Sequence, residues 1–170
     1  MIDWLTSNDD DAVIGALNEL EQLLRRGDVG EEIIKPLFQL LSHKRDDVRA
    51  RAVWCLGKLG QNKVYGDYQL IRLCEMVEDE DPETRENLAW ALGELAGIGL
   101  GDRRSLETLL HLLNDDENGV RSMAAWSIGR YAEKLSLDDR RCVERLEEML
   151  KSSNSYTRSS AEFALEKLSK

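Results

Sequence analysis

Asp46-Asp47-Val48-Arg49-Ala50-Arg51-Ala52-Val53-Trp54-Cys55-Leu56-Gly57-Lys58-Leu59 is one of several similar stretches in the 170-residue chain. Its pattern returns as Pro82-Glu83-Thr84-Arg85-Glu86-Asn87-Leu88-Ala89-Trp90-Ala91-Leu92-Gly93-Glu94-Leu95 and as Gly119-Val120-Arg121-Ser122-Met123-Ala124-Ala125-Trp126-Ser127-Ile128-Gly129-Arg130-Tyr131. Arg49, Arg85 and Arg121 stand 36 residues apart, as do Trp54, Trp90 and Trp126, and Gly57, Gly93 and Gly129. Three registers kept at one interval mark an internal repeat. A fourth copy, from Thr157 to Leu168, follows 37 residues later with Phe163 for Trp and Glu166 for Gly, as expected of a terminal capping repeat. Counting back 36 from Val48, Ala52, Leu56 and Leu59 gives Ala12, Ala16, Leu20 and Leu23, so the array opens on a partial repeat.

Within each copy the apolar residues recur at helical spacing, and a second apolar-periodic segment precedes each one. These first-helix stripes are Ile34, Leu37 and Leu41; Leu70, Leu73 and Val77; Leu106, Leu109 and Leu113; and Val143, Leu146 and Leu150. Asp81-Pro82-Glu83 has the grammar of a helix start, with an N-capping Asp, Pro at the first position and acid in the first turn. No window alternates as a strand would. The reading is an all-α, right-handed solenoid of antiparallel helix pairs. It divides into a partial repeat over 1–28 and full repeats over 29–62, 63–99, 100–135 and 136–170, with joints near Gly60-Gln61-Asn62, a flexible Gly97-Ile98-Gly99-Leu100-Gly101 run and Lys134-Leu135-Ser136.

Composition agrees with a folded helical protein: 42% hydrophobic, 33% charged and two prolines. The net charge of −10, from 23 basic and 33 acidic residues, works against a phosphate backbone as partner. The start Met1-Ile2-Asp3-Trp4 lacks the basic and apolar regions of a signal peptide, and no apolar run reaches the ~18 residues of a membrane span. A cytoplasmic location without membrane contact is expected. Cys55, Cys74 and Cys142 lie in apolar helical patterns without metal-ligand spacing and read as buried free thiols.

The signature Val48-Arg49-x-x-Ala52-x-x-x-Leu56-Gly57-x-Leu59 resembles the HEAT-like repeat of the phycobilisome-lyase type, at a period somewhat longer than is usual there. At ~100° per residue, Val48, Leu56 and Leu59 fall within about 40° of Ala52, while Trp54 falls at about 200°, away from the stripe. Trp54, Trp90 and Trp126 should therefore form a ladder on one surface, with Phe163 as fourth rung. The resemblance implies that second helices line a concave groove. It would place the ladder there, flanked by Arg51, Lys58, Glu86, Asn87, Glu94, Met123, Arg130 and Lys167. Two readings stay open: exposed indoles anchoring a partner, or indoles lying flat on the glycine of their own helix and on the neighbouring helix. The arginines Arg49, Arg85, Arg121 and Arg158, in first turns where the helix dipole disfavours cations, call for carboxylates from the acidic loops.

Catalytic and metal constellations are not apparent. Some proteins of similar repeat type are metal-dependent hydroxylases using His-Glu pairs, which would fall at Ala50-Arg51, Glu86-Asn87, Ser122-Met123 and Ser159-Ser160; none carries the pair. His43 and His111 have no partner at ligand spacing. The loop beginning Asn114-Asp115-Asp116 imitates a calcium loop but has Ala125 where a bidentate Glu is needed. The glycine run at 97–101 lacks the strand and spacing of a dinucleotide loop. Asp9-Asp10-Asp11 and Glu78-Asp79-Glu80-Asp81 read as helix-capping loops that could also draw a basic partner.

The expected function is a non-catalytic scaffold or adaptor, without cofactor, that clasps a protein or peptide segment. The candidate binding residues are Trp54, Trp90, Trp126, Phe163, Arg51, Lys58, Asn87, Glu94 and Arg130. The resemblance leaves two alternatives: a bilin-lyase-like handler of chromophore, and a nucleic-acid-binding repeat protein, which the charge disfavours.

Overall fold

A computed structural model describes residues 2–66, 68–135 and 139–169. The expected repeat edges at Ser136 and Lys170 lie outside the described residues. The helices are α1 (Ile2–Leu5), α2 (Asp10–Arg26), α3 (Ile34–Leu40), α4 (Asp46–Gln61), α5 (Gln69–Cys74), α6 (Pro82–Gly97), α7 (Arg103–Leu112), α8 (Asn118–Lys134), α9 (Arg140–Met149) and α10 (Ser155–Leu168). A single 3-10 turn, Glu31–Ile33, leads into α3. No strand occurs among the described residues. The long helices α2, α4, α6 and α8 begin 36 residues apart, and α10 begins 37 after α8, so the sequence period is the period of the fold.

Two layers result. The long helices pack in succession, α2 on α4, α4 on α6, α6 on α8 and α8 on α10, while α3, α5, α7 and α9 each pack on the long helix that follows. The core runs between the layers, where Leu20, Leu37, Leu56, Leu59, Leu73, Leu92, Leu95, Leu109, Ile128 and Leu146 are sealed from water. Each such side chain contributes about 1.5–3 kcal/mol by burial. An isolated helix of this length is marginal in water, so stacking holds the array together. Of the expected first-helix stripe, Leu70, Val77, Leu106 and Val143 are only partly covered, and Leu150 is 36% exposed. Leu150 is the residue that follows α9, at the loop between α9 and α10.

Local chemistry sets the helix ends. Asp81 caps α6 by accepting a 2.8 Å bond from the Thr84 N–H, with Pro82 in the first turn, as its sequence predicts. Asp102 and Ser105 form a reciprocal capping box on α7. The 97–101 glycine run differs from a flexible joint. α6 continues through Gly97, Gly99 takes a left-handed φ of 83°, and the Leu100 N–H returns to the Leu95 carbonyl at 2.9 Å. A glycine in that conformation is a defined helix stop.

The repeated arginines staple successive loops. Arg49 donates from Nε and Nη2 to both oxygens of Asp79 at 2.7 and 2.9 Å, and from Nη1 to the His43 carbonyl. Arg85 repeats this with Asp115 at 2.6 and 3.0 Å and with the Asp79 and Glu80 carbonyls. Burial works to raise the Asp79 and Asp115 carboxyls, but the arginine and backbone hydrogen bonds and nearby positive charge outweigh it and hold both below the usual carboxylate range. The series then changes. Arg121 and Arg158 bond loop carbonyls, of Asp115 and Asp116 and of Ser152 and Ser153, and no carboxylate from a following loop meets them among the described residues. At the loop that would serve Arg121 the chain carries Ser152 and Ser153 where earlier loops carry acids.

Candidate functional site

The three indoles and Phe163 lie on one face of the long-helix layer, in register, and they are half-buried. The repeat explains why. A Cβ placed at Gly57 would stand 2.7 Å from Cζ3 of Trp90 and 2.8 Å from Cα of Ala91. At Gly93 it would meet Cζ3 of Trp126 at 2.8 Å, and at Gly129 the ring of Phe163 at 2.5 Å. The rings of Trp90, Trp126 and Phe163 therefore lie over the glycine of the preceding helix, the neighbouring-helix contact that the packing reading expects, while α2 carries Glu21 where α4, α6 and α8 carry that glycine. Neighbouring helices are offset so that one ring fills the next notch, which is why the rings are partly covered instead of standing free.

Along this face the contacts vary. Trp54 and Trp90 lie nearly parallel, 12° apart with centroids at 6.1 Å, and the Arg25 guanidinium covers Trp54 at 5.1 Å. Arg51 donates to Glu21 at 2.6 Å and Asn18 at 2.7 Å, tying α4 to α2. Asn87 donates to the Ala50 carbonyl at 3.1 Å. Lys58 bonds Gln61. Arg130 stacks over Trp126 at 5.7 Å with its Nε buried and unbonded, and Lys167 sits 5.2 Å from the Phe163 ring while pairing with Glu133 at 2.8 Å. Glu94, expected on the groove flank, is only 8% exposed: it follows Trp90 by one turn, and α4 and α8 packing on both sides of α6 covers it.

Between α6, α8 and α10 the face opens into a cavity of about 540 Å³, walled by Trp90, Met123, Trp126 and Tyr156. That volume suits a small ligand or one large side chain. Glu86 is its one charged lining residue and has no hydrogen-bond or ion-pair partner among the described residues. Burial, then repulsion from Glu83, raises its carboxyl above the ordinary value. Glu86 and Met123 were expected beside the groove; Tyr156, 79% exposed, was not. Its signal was its position two residues before Arg158, which earlier copies fill with Asp47, Glu83 and Gly119.

Elsewhere the groups with reactive potential are engaged or covered. The three cysteines are buried, and burial pushes the Cys142 thiol up to about 12 and the Cys55 and Cys74 thiols also upward. His43 meets Asp10 at 3.5 Å and His111 meets Glu78 at 3.2 Å. No cluster of three metal-ligating side chains occurs among the described residues. Asp115, in the calcium-like loop, is taken by Arg85. No helix among them is long and apolar enough to cross a membrane.

These features define a helix-pair repeat solenoid with an aromatic-lined face. HEAT repeats match residues 71–166, and a further HEAT repeat matches residues 33–62. The chain belongs to the HEAT repeat family. No curated protein matches its sequence. Among solved structures it is similar to an engineered protein, with 20% identity over 98% of this chain and 77% of that one at a TM-score of 0.71. A designed armadillo repeat protein in complex with a (KR)4 peptide aligns at 17% identity over 98% and 80% of the two chains, TM-score 0.67. A chain of the complex of CpcE and CpcF of phycocyanin lyase from Nostoc sp. aligns at 24% identity over 96% and 95%, TM-score 0.68. At these identities the likeness is one of fold.

Proposed function

We propose that the chain is a non-catalytic scaffold that holds a segment of another protein along the indole-bearing face of its long helices. The observation that carries this reading is the cavity between Trp90, Trp126 and Tyr156, an apolar-walled opening on that face. Aromatic walls with a few polar groups are what protein anchors need. The fold-level neighbour bound to a peptide lends analogy only. Of the candidate residues, Trp90 and Trp126 would make direct contact. Trp54, Arg51, Lys58 and Asn87 would shape the closed part of the face, and Phe163 and Arg130 its far rim.

Panning a displayed random-peptide library against the whole chain tests the reading. Enriched peptides should bind the wild type and lose at least tenfold in affinity for Met123→Arg, which places bulk and charge in the cavity while the melting temperature holds. Enriched peptides that bind Met123→Arg as well as wild type would sink it.

A second reading, handling of a bilin, draws on the fold likeness to the phycocyanin lyase chain over nearly both lengths and on the planar aromatic walls. It expects a visible absorption change when biliverdin is mixed with the protein, absent in Met123→Arg.

A further inference from the structure

We propose that the cavity between Trp90, Trp126 and Tyr156 receives an arginine side chain of the bound segment, its guanidinium facing the Glu86 carboxylate. This rests on the reading of that face as the binding face and names what its central pocket recognises.

The polar groups around the cavity are unequal. Asn118 accepts from Arg121, the Ser122 hydroxyl donates to the Asn118 carbonyl at 2.7 Å and meets Thr157, and Asn154 accepts from the Thr157 N–H at 3.0 Å. Those groups serve the helix starts. Glu86 alone brings a charge to the wall, half-buried and unpaired. Gly119 at the first turn of α8 makes room for it, since a Cβ there would lie 2.4 Å from Oε2 of Glu86. No other repeat supplies this acid: its counterparts are Ala50, Ser122 and Ser159.

An occupant must complement both the acid and the rings. An anion is repelled, and an apolar side chain would finish desolvating the carboxylate without giving it a hydrogen bond. A cation relieves the burial and the Glu83 repulsion together. Between the two cationic side chains, guanidinium is the better match. It is planar, weakly hydrated, stacks on an indole, and can offer two parallel N–H groups to one carboxylate, whereas an ammonium offers a strongly hydrated point charge. The net charge of −10 favours encounter with a basic segment at low salt.

The test uses fluorescence anisotropy with labelled peptides of equal length in which serine alternates with arginine, lysine, leucine or glutamate. The arginine peptide should bind most tightly and the lysine peptide several-fold more weakly. Glu86→Gln should weaken the arginine peptide about tenfold or more and leave the leucine peptide unchanged. Glu147→Gln, at an exposed position of α9, removes the same charge elsewhere and should do neither, which separates the pocket from general attraction. Gly119→Ala, which displaces the carboxylate, should follow Glu86→Gln, with melting curves confirming that each variant is folded. The proposal is overturned if Glu86→Gln binds the arginine peptide as wild type does, or if Glu147→Gln weakens it equally. Leucine-peptide binding that is lost in Met123→Arg, with no arginine preference, overturns the arginine inference and keeps the groove reading. Binding of every peptide that ignores Met123→Arg overturns both.

Discussion

The two halves of the long-helix face follow one repeat template and end differently. Across α2, α4 and α6 the surface is closed: Trp54 is held between Arg25 and Trp90, and Arg51 bridges to Glu21 and Asn18. Across α6, α8 and α10 it opens around Glu86, Met123 and Tyr156. The shared positions, Trp over Gly, are the same in both. The difference comes in part from the two positions after the repeated arginine, which read Ala50-Arg51, Glu86-Asn87, Ser122-Met123 and Ser159-Ser160, and in part from Arg25 over Trp54 and Tyr156 at the cavity wall. In a repeat protein the positions common to all copies build the stack, and those that depart from the pattern are free to specialise the surface.

The most direct way to break this contrast is to remove one ring from each half. Trp54→Ala deletes a stacked, half-buried ring and should cost about 3 kcal/mol of unfolding free energy, while leaving peptide capture unchanged. Trp126→Ala should lower stability by less, its ring bordering an existing cavity, and should remove capture. Urea titration and anisotropy on the same samples read both quantities. Capture lost in Trp54→Ala and kept in Trp126→Ala would reverse the assignment of the two halves.

The loop edge carries a parallel asymmetry that acid should expose. The Asp79 and Asp115 carboxyls, bonded to Arg49 and Arg85, have folded-state pKa values below the unfolded one. The stability they add is therefore fully present above the ordinary carboxylate value near ~4 and is lost as pH falls through the folded values. Arg121 and Arg158 bond carbonyls and have no such dependence, so between α8 and α10 acid acts instead on the partly exposed Glu133–Lys167 pair, a weaker tie than the bidentate arginine pairs. Lowering the pH from neutral to about 3 should loosen α4 and α6 before α10, seen by amide exchange after correction for the intrinsic rate. Asp115→Asn should flatten part of the pH profile. Uniform loosening along the array would contradict this.

The stack was readable in the sequence because it depends on periodic identities. Arg49, Trp54 and Gly57 with their copies gave the helices, their order and the shared face, and Asp81-Pro82 gave a helix start to the residue. What could not be read was which helix's glycine each ring covers, because that offset is set by the approach of two helices and not by spacing within one. Glu94 shows the same limit: helical angle placed it beside Trp90, but the helices closing on either side decided its burial. Tyr156 was legible only as a departure from the copies, and a search for likeness passes over departures. The Arg121 loop likewise lacks its acid at Ser152, a substitution visible in the sequence once the pairing of the earlier arginines is known.

The smallest expected effects test whether the glycine notches, and not helix propensity, set the closed half. Gly57 and Gly15 both lie inside long helices, so replacement by Ala should gain up to about 1 kcal/mol in either helix from propensity alone. At Gly15 nothing lies within 4 Å of the new methyl, so the gain should survive as a rise of about 0.5–1 kcal/mol. At Gly57 the methyl meets the Trp90 ring at 2.7 Å and the Ala91 backbone at 2.8 Å. Backbone cannot turn aside as a flexible side chain can, so α4 and α6 must part, at a cost of about 1–3 kcal/mol. The net change at Gly57 should be a loss of about 1 kcal/mol, with a shifted urea midpoint at unchanged slope. A rise in stability for both variants would show that the rings accommodate a methyl and that the notch does not hold Trp90 in place. Opposite signs would show that the same substitution is decided by the neighbouring helix, which is the property that lets one half of the face close while the other stays open.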